Sequence, residues 1–277
     1  MLKPARKKFS ILWFTIEVAV QFGALLTAFR FLFPELWAQQ FAGGWPAFAL
    51  VFLAMHLVMA FFEWGFHRYV LHSVTVRWLG HFARGHRNHH ALTNIQLARD
   101  EAGPGRIVLN RYPIIDEEQF EDAVFPHYAL AALWLLFTPL LMLVQHFLPQ
   151  APIYLGGYAA IAWSMASYEI LHGIEHLPYA WWERATEHPR FGRMWREIYG
   201  FHHFHHANIN TNESISGFFG LPLADWAFRT YNQPEDLLLH GRMATAKDFA
   251  VRPPWPFVTW LDRWARAREA RILRSSS

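Results

Sequence analysis

The chain has 277 residues, of which 53% are hydrophobic and 17% aromatic, and no repeat or Gly/Ser-rich linker divides it. The absence of cysteine excludes disulfides, iron–sulfur ligation and thiol catalysis. The formal net charge of +3 comes from basic residues that flank apolar segments, which favours a lipid surface over nucleic acid as the partner. We therefore expect one membrane domain over residues 1–277.

Four stretches are apolar and long enough to cross a bilayer, for which a helix needs about 20 residues. The predicted transmembrane helices lie at 11–33, 47–66, 128–149 and 152–172. The first carries Glu17, which we expect to make a polar contact with a neighbouring helix. No signal-peptide cleavage motif follows this stretch, so it is not interpreted as a removed leader. The predicted fold is an all-α integral membrane protein with about four transmembrane helices.

The distribution of basic residues predicts the orientation of these helices. Lys and Arg cluster in the N-terminal tail, in 67–127 and after 172, whereas 34–46 and 148–151 contain none. The positive-inside rule then places both termini and the segments 67–127 and 173–277 in the cytoplasm. We expect these segments to form a helical metal-binding part at the cytoplasmic face, and we favour a bacterial inner membrane as the location.

Ten of the 17 histidines fall into four spaced motifs. The motifs are H-R-Y-V-L-H with His67 and His72, H-R-N-H-H with His86, His89 and His90, H-G-I-E-H with His172 and His176, and H-H-F-H-H with His202, His205 and His206. Neutral imidazole is a ligand for iron, copper, zinc and nickel. Ten such ligands are too many for one ion and suit two, so most of the ten are predicted metal ligands.

Helical geometry predicts which of these side chains converge. Residues three or four apart share a helix face, so the second, third and fourth motifs should each converge. His67 and His72 are five residues apart, which leaves them about 140° apart on an α-helix. Either the helix breaks between them or they reach different metals. His203 is expected to turn away from the site, and the isolated His56, His127, His146, His188 and His240 are interpreted as structural.

Polar residues beside the motifs are candidates for orienting the ligands. A metal-bound histidine usually donates its second ring N–H to a carboxylate or carbonyl. Glu63, Glu169 and Glu175 lie close enough in sequence to accept such a bond, and Asn208 and Asn210 follow the last motif.

Two further segments allow more than one interpretation. The stretch 257–273 places apolar residues on one side and arginines elsewhere, which suits a helix in the membrane interface or one packed on the metal-binding part. The acidic run 116–122 is interpreted as a solvated face, with the alternative that its loop caps a substrate entrance.

The order HX4H, HX2HH, HX3H, HX2HH, with apolar spans before the first and third motifs, resembles the fatty acid hydroxylase superfamily over about residues 63–220. That group includes fatty acid 2-hydroxylases and sterol desaturases. The resemblance implies two iron ions held by the ten histidines, and O2-dependent attack on an unactivated C–H bond of a lipid. Zinc could replace iron in a purified sample. No haem-binding extension is visible, so a ferredoxin, cytochrome or reductase should supply the two electrons.

Two other functions are compatible with the motifs. A lipid desaturase would use the same metals, and the position of the substrate would decide between hydroxylation and desaturation. A metal-binding or metal-transporting membrane protein is the second alternative. Transport sites normally lie near the membrane midplane, whereas these motifs are expected at its edge.

Overall fold

The computed structural model describes residues 10–99, 106–116, 118–119 and 124–275. These residues are mostly helical, in agreement with the predicted all-α class. The chain forms two compact units: unit 1 contains Met1–Phe61 and Phe125–Ile170, and unit 2 contains Phe62–Val124 and Leu171–Ser277. Two of the boundaries between units fall inside helices, so no linker composition marks them in the sequence. Whether the units act as one domain stays a prediction.

Unit 1 is built from apolar helices. They are α1 (Ile11–Leu32), α2 (Pro34–Gln39), the first part of α3 (Gly44–Phe66), α5 (Ala129–Phe147) and most of α6 (Ile153–Glu175). Three described helical stretches are long and apolar enough to cross a membrane: Ile11–Leu32, Gly44–Leu71 and Ala129–Phe147. Large apolar side chains such as Trp13, Phe31 and Leu135 are exposed on these helices, as expected for contact with lipid.

The fourth predicted span also forms a helix, α6, but it is not among those three stretches. It carries polar residues, including Ser164 and Glu169. A Cβ added at Gly157 would lie 2.5 Å from Cδ2 of Leu141 on α5, so a larger residue would require that side chain to move. A membrane crossing by α6 stays a prediction. Glu17 was expected to contact a neighbouring helix; its carboxylate instead lies 2.8 Å from Nδ1 of His127, in the turn just before α5.

Unit 2 contains all four histidine motifs. Its elements are a π-helical turn (His67–Leu71), a 3-10 turn (Arg77–Leu79), α4 (Gly80–Leu92), β1 (Ile95–Arg99), β2 (Arg106–Asn110), α7 (Tyr179–Thr186), α8 (Gly192–Ala207), α9 (Leu223–Phe228), a second 3-10 turn (Ala246–Phe249) and α10 (Pro256–Arg274). The two strands pair antiparallel and were not predicted from the sequence. A core that includes Val108, Tyr112, Tyr199 and Phe204 packs them with α8.

Helix α10 packs on unit 2 by one face. Val258, Ala265 and Ile272 are buried at seven-residue spacing, which is two helical turns. The exposed aromatic residues, Trp260 among them, lie on another side. Packing, one of the two predicted alternatives, is therefore confirmed, and the membrane-interface alternative stays open for the outer face. Of the acidic run, 117 and 120–122 lie outside the described residues.

Candidate metal centre

The structure brings the ten motif histidines of unit 2 into two groups of five. The first histidine group contains His67, His72, His86, His90 and His205, and the second contains His89, His172, His176, His202 and His206. Within each group, one ring nitrogen per residue lies within 4.8 Å of all the others. The groups adjoin, because the rings of His90 and His206 stack with centroids 4.0 Å apart. The residues predicted as ligands are thus assembled as two candidate metal sites.

The first motif reaches a single group through a π-helical turn. The N–H of His72 donates to the carbonyl of His67, five residues earlier, at 3.0 Å. One extra residue in the turn brings the two imidazoles to the same side, with ring centroids 4.9 Å apart. Of the two alternatives left open by the sequence, the helix changes its geometry and both histidines join one group.

Each HX2HH motif divides between the two groups. On α4, His86 and His90 belong to the first group, whereas His89 belongs to the second. On α8 the assignment is reversed, since His202 and His206 belong to the second group and His205 to the first. In both motifs the two histidines four residues apart belong to the same group, and the middle histidine belongs to the other group. Each of the two helices therefore supplies histidines to both groups.

The Nε2 atoms within each group point at one another. In the first group, Nε2 of His86 lies 2.9 Å from that of His67, 3.3 Å from that of His72 and 3.1 Å from that of His90. In the second group, Nε2 of His202 lies 3.1 Å from those of both His176 and His206. These separations are too short for several lone pairs to face one another without a proton or a cation between them.

Backbone carbonyls determine which ring nitrogen carries the proton. Nδ1 of His67 lies 2.6 Å from the carbonyl of Glu213, and Nδ1 of His205 lies 2.6 Å from that of Thr211. In the second group, Nδ1 of His176 lies 2.7 Å from the carbonyl of Tyr112.

The second group has another contact of this kind, in which Nδ1 of His206 lies 3.1 Å from the carbonyl of Thr93. A carbonyl only accepts, so Nδ1 is the donor in the rings of His67, His205, His176 and His206, and Nε2 carries the lone pair. The leftover lone pairs and their convergence fit a cation in each group.

Burial keeps these imidazoles neutral at physiological pH. Desolvation lowers the pKa of His89 to about 3 and holds the pKa values of His90, His202 and His205 well below the ordinary value. Neutral imidazole is the form that binds a metal, so the electrostatics of the groups agree with their geometry.

The candidate orienting residues have other partners. Glu63 accepts hydrogen bonds from the backbone N–H groups of Ser216 and Gly217, and Glu169 accepts one from Phe125 N–H at 2.8 Å. Asn208 donates to the carbonyl of Phe249. Asn210 contributes its carbonyl to Arg68 at 3.0 Å.

Glu175 stays compatible with a role beside the site. Glu175 is buried and its Oε2 has no hydrogen-bond partner, and the same is true of Oε2 of Glu169. The orienting roles of Glu175 and Glu169 are therefore still predictions.

His203 and the isolated histidines lie outside both groups. Nε2 of His203 lies 2.9 Å from the side-chain nitrogen of Asn110, so the expectation that His203 turns away agrees with the structure. The orienting carbonyls of Thr93, Tyr112, Thr211 and Glu213 were not found from the sequence. Every residue has a carbonyl, so no residue type marks the positions where one is used.

Comparisons of the chain with protein-family models, with curated proteins and with solved structures find no match.

Proposed function

We propose that this chain is a membrane di-iron monooxygenase that hydroxylates an unactivated C–H bond of a lipid. The observation that carries the proposal is the pair of adjoining, buried histidine groups, each with five imidazoles whose donor atoms converge. Two groups with five imidazoles each favour a two-metal centre over a single structural ion.

The chemistry of the donor set supports iron as the working metal. Imidazole binds iron and zinc alike, but zinc has no redox chemistry. Two iron ions in these groups would supply the electron-transfer chemistry that O2-dependent oxidation of a C–H bond requires. Zinc in a purified sample would be compatible with the same ligands.

The residues of this chain would prepare and protect that centre. The carbonyls of Glu213, Thr211 and Tyr112 hold the proton on Nδ1, which keeps Nε2 available as the ligand atom. Nine of the ten imidazoles are buried and His72 is half-buried, which limits the access of water. A dry, preorganised site protects reactive species from side reactions.

The membrane helices support a lipid as the substrate. Three stretches suited to crossing a bilayer belong to the same chain as the histidine groups. We propose that an amphiphile enters from the bilayer. We also propose that an external ferredoxin, cytochrome or reductase supplies two electrons, and that the centre faces the cytoplasm of a bacterial inner membrane.

The test is lipid mass spectrometry on membranes that contain the chain, grown under 18O2. A lipid that gains one labelled oxygen atom is the expected result. The variant His202→Ala/His205→Ala/His206→Ala, which removes ligands from both groups, should abolish the labelled product. His188→Ala is the matched control, because His188 is exposed and lies outside both groups.

Other outcomes would replace the proposal. A lipid that loses two hydrogens without gaining oxygen would identify a desaturase. Labelled product that persists in the triple variant would show that the histidine groups are not the reactive centre. Metal flux into proteoliposomes containing the chain, without any change in lipid, would indicate a transporter.

A further inference from the structure

A buried arginine lies next to the first histidine group. Arg68 follows His67 in the chain and is 6% exposed. Its Nε and Nη2 donate to the two carboxylate oxygens of Asp262 on α10, both at 2.8 Å. This bidentate arrangement fixes the plane of the guanidinium as well as its position.

The remaining guanidinium nitrogen binds the segment that orients two ligands. Nη1 of Arg68 donates to the carbonyl of Asn210 at 3.0 Å and to the carboxylate of Glu213 at 2.7 Å. The segment 210–213 between them supplies the carbonyls that accept from Nδ1 of His67 and His205. Arg68 therefore donates hydrogen bonds to both ends of the segment whose carbonyls orient two of the five imidazoles of the first group.

A second acidic residue of α10 reaches the same group from outside. Glu269 lies 2.5 Å from Nη2 of Arg87, and that nitrogen also donates to the carbonyl of His72 at 2.8 Å. Asp262 and Glu269 are two helical turns apart, on the buried face of α10. The ion pairs of Asp262 and Glu269 thus lead to the first group, whereas the carbonyls that orient the second group come from Thr93 and Tyr112.

We propose that α10 is a positioning element for the first histidine group, and that Asp262, acting through Arg68, is its main contact. The inference rests on the metal centre of the proposed function but not on the reaction that the centre performs. Its consequence is that the two metal sites have separate supports, so the first can be weakened while the second keeps its ion.

The test is the metal content of purified, full-length protein in detergent, reconstituted with Fe(II) under anaerobic conditions and measured by elemental mass spectrometry. Asp262→Asn keeps the size of the side chain but removes the charge that orients Arg68. Loss of such an outer contact costs about 10- to 100-fold in metal affinity. At the lowest free Fe(II) concentration that fills both sites of the parent chain, the variant should hold about half the metal of the parent chain. Asp262→Glu, which keeps the carboxylate, should restore part of the loss.

Asp236→Asn is the matched control, because it also removes an Asp–Arg ion pair. Asp236 pairs with Arg242 at 2.9 Å in an exposed part of unit 2. This variant should keep the full metal content. To assign the site that is lost, Asp262→Asn is combined with His206→Ala, which weakens the second group. The combined variant should hold almost no iron.

Full metal content in Asp262→Asn at the Fe(II) concentration that just fills both sites of the parent chain would overturn the inference. Equal loss from both sites would also overturn it, because α10 would then support the fold as a whole. If the parent chain itself bound no metal, the proposed centre would fail, and that result is distinguishable from a failure of the positioning role alone.

Discussion

At the scale of single residues, His202 and His203 are neighbours with different surroundings. His202 points its Nε2 at His176 and His206, whereas His203 faces Asn110 and packs near Tyr112 and Tyr199. Both are fully buried, so burial alone does not distinguish a ligand from a core histidine. The distinction is the direction of the side chain on α8, which is set by the helical phase.

His203→Ala should therefore keep the metal content and lose stability. The change leaves a cavity and removes the partner of Asn110, which together cost about 2–4 kcal/mol. The measurements are iron content and the denaturant midpoint of the purified protein. His202→Ala is the comparison and should lose metal from the second group. Metal loss in His203→Ala equal to that in His202→Ala would contradict the assignment.

At the scale of elements, the π-helical turn explains the spacing of the first motif. Deleting Val70 would shorten that spacing to four residues, which an α-helix places on one face. The non-helical residues 73–76 that follow can absorb the shift of one residue. We therefore expect the deletion to keep metal in the first group.

The check is the iron content of the Val70 deletion beside a deletion of Phe204, which would shift His205 and His206 out of phase with His202. The Phe204 deletion should lose iron. Equal loss in both deletions would mean that the π-helical turn itself is required, not merely the side on which it places His72.

Much of the candidate site could be predicted because helical spacing is a local property. The sequence identified all ten histidines of the two groups and the pairs four residues apart that share a group. The expectation that each HX2HH motif converges as a whole was wrong, because both motifs divide between the groups. The sequence left the behaviour of His67 and His72 open, because a π-helical turn and an interrupted helix fit the same spacing. It also missed the exchange of His89 and His205 between groups, since the packing of α4 against α8 depends on contacts between distant segments.

The strands β1 and β2 were missed for a related reason. Their residues include Arg99 and Arg106, and the run shows no regular alternation that would mark a half-buried strand. The backbone of β2 is also held by the chain near 242, where Val108 N–H donates to the carbonyl of Arg242 at 2.8 Å. Such a long-range partner leaves no local signal.

At the scale of the whole molecule, the two histidine groups differ in their access to solvent. A cavity of about 190 Å³ in unit 2 is lined by His72 together with Arg68, Asn210 and Asp262. His72 is the half-buried member of the first group, whereas every member of the second group is buried. We expect a chelator to remove metal from the first group before the second.

The measurement is the time course of iron loss from the purified protein in excess EDTA. Two phases should appear. His90→Ala, in the first group, should abolish the fast phase, and His206→Ala, in the second, should abolish the slow one. A fast phase that disappears in His206→Ala instead would reverse the order of access.

The expected membrane topology rests on the two separate segments of the chain that form unit 2. The segments 62–124 and 171–277 both supply histidines to the two groups, so we expect these segments to meet on one side of the membrane. We therefore expect the chain between them to cross the membrane an even number of times. Since α5 is suited to crossing, α6 should return the chain, although its polar residues keep it out of the three most apolar stretches.

Single cysteines test this topology directly, because the parent chain has none. The exposed positions are Arg84 and Arg184 in unit 2 and Gln150 between α5 and α6. With four spans, a membrane-impermeant thiol reagent should label Arg84→Cys and Arg184→Cys from one side of the membrane and Gln150→Cys from the other. If α5 crossed the membrane and α6 did not, Arg184→Cys would be labelled from the same side as Gln150→Cys. That result would place the two halves of the histidine groups on opposite sides of the bilayer and would be incompatible with their assembly into one centre.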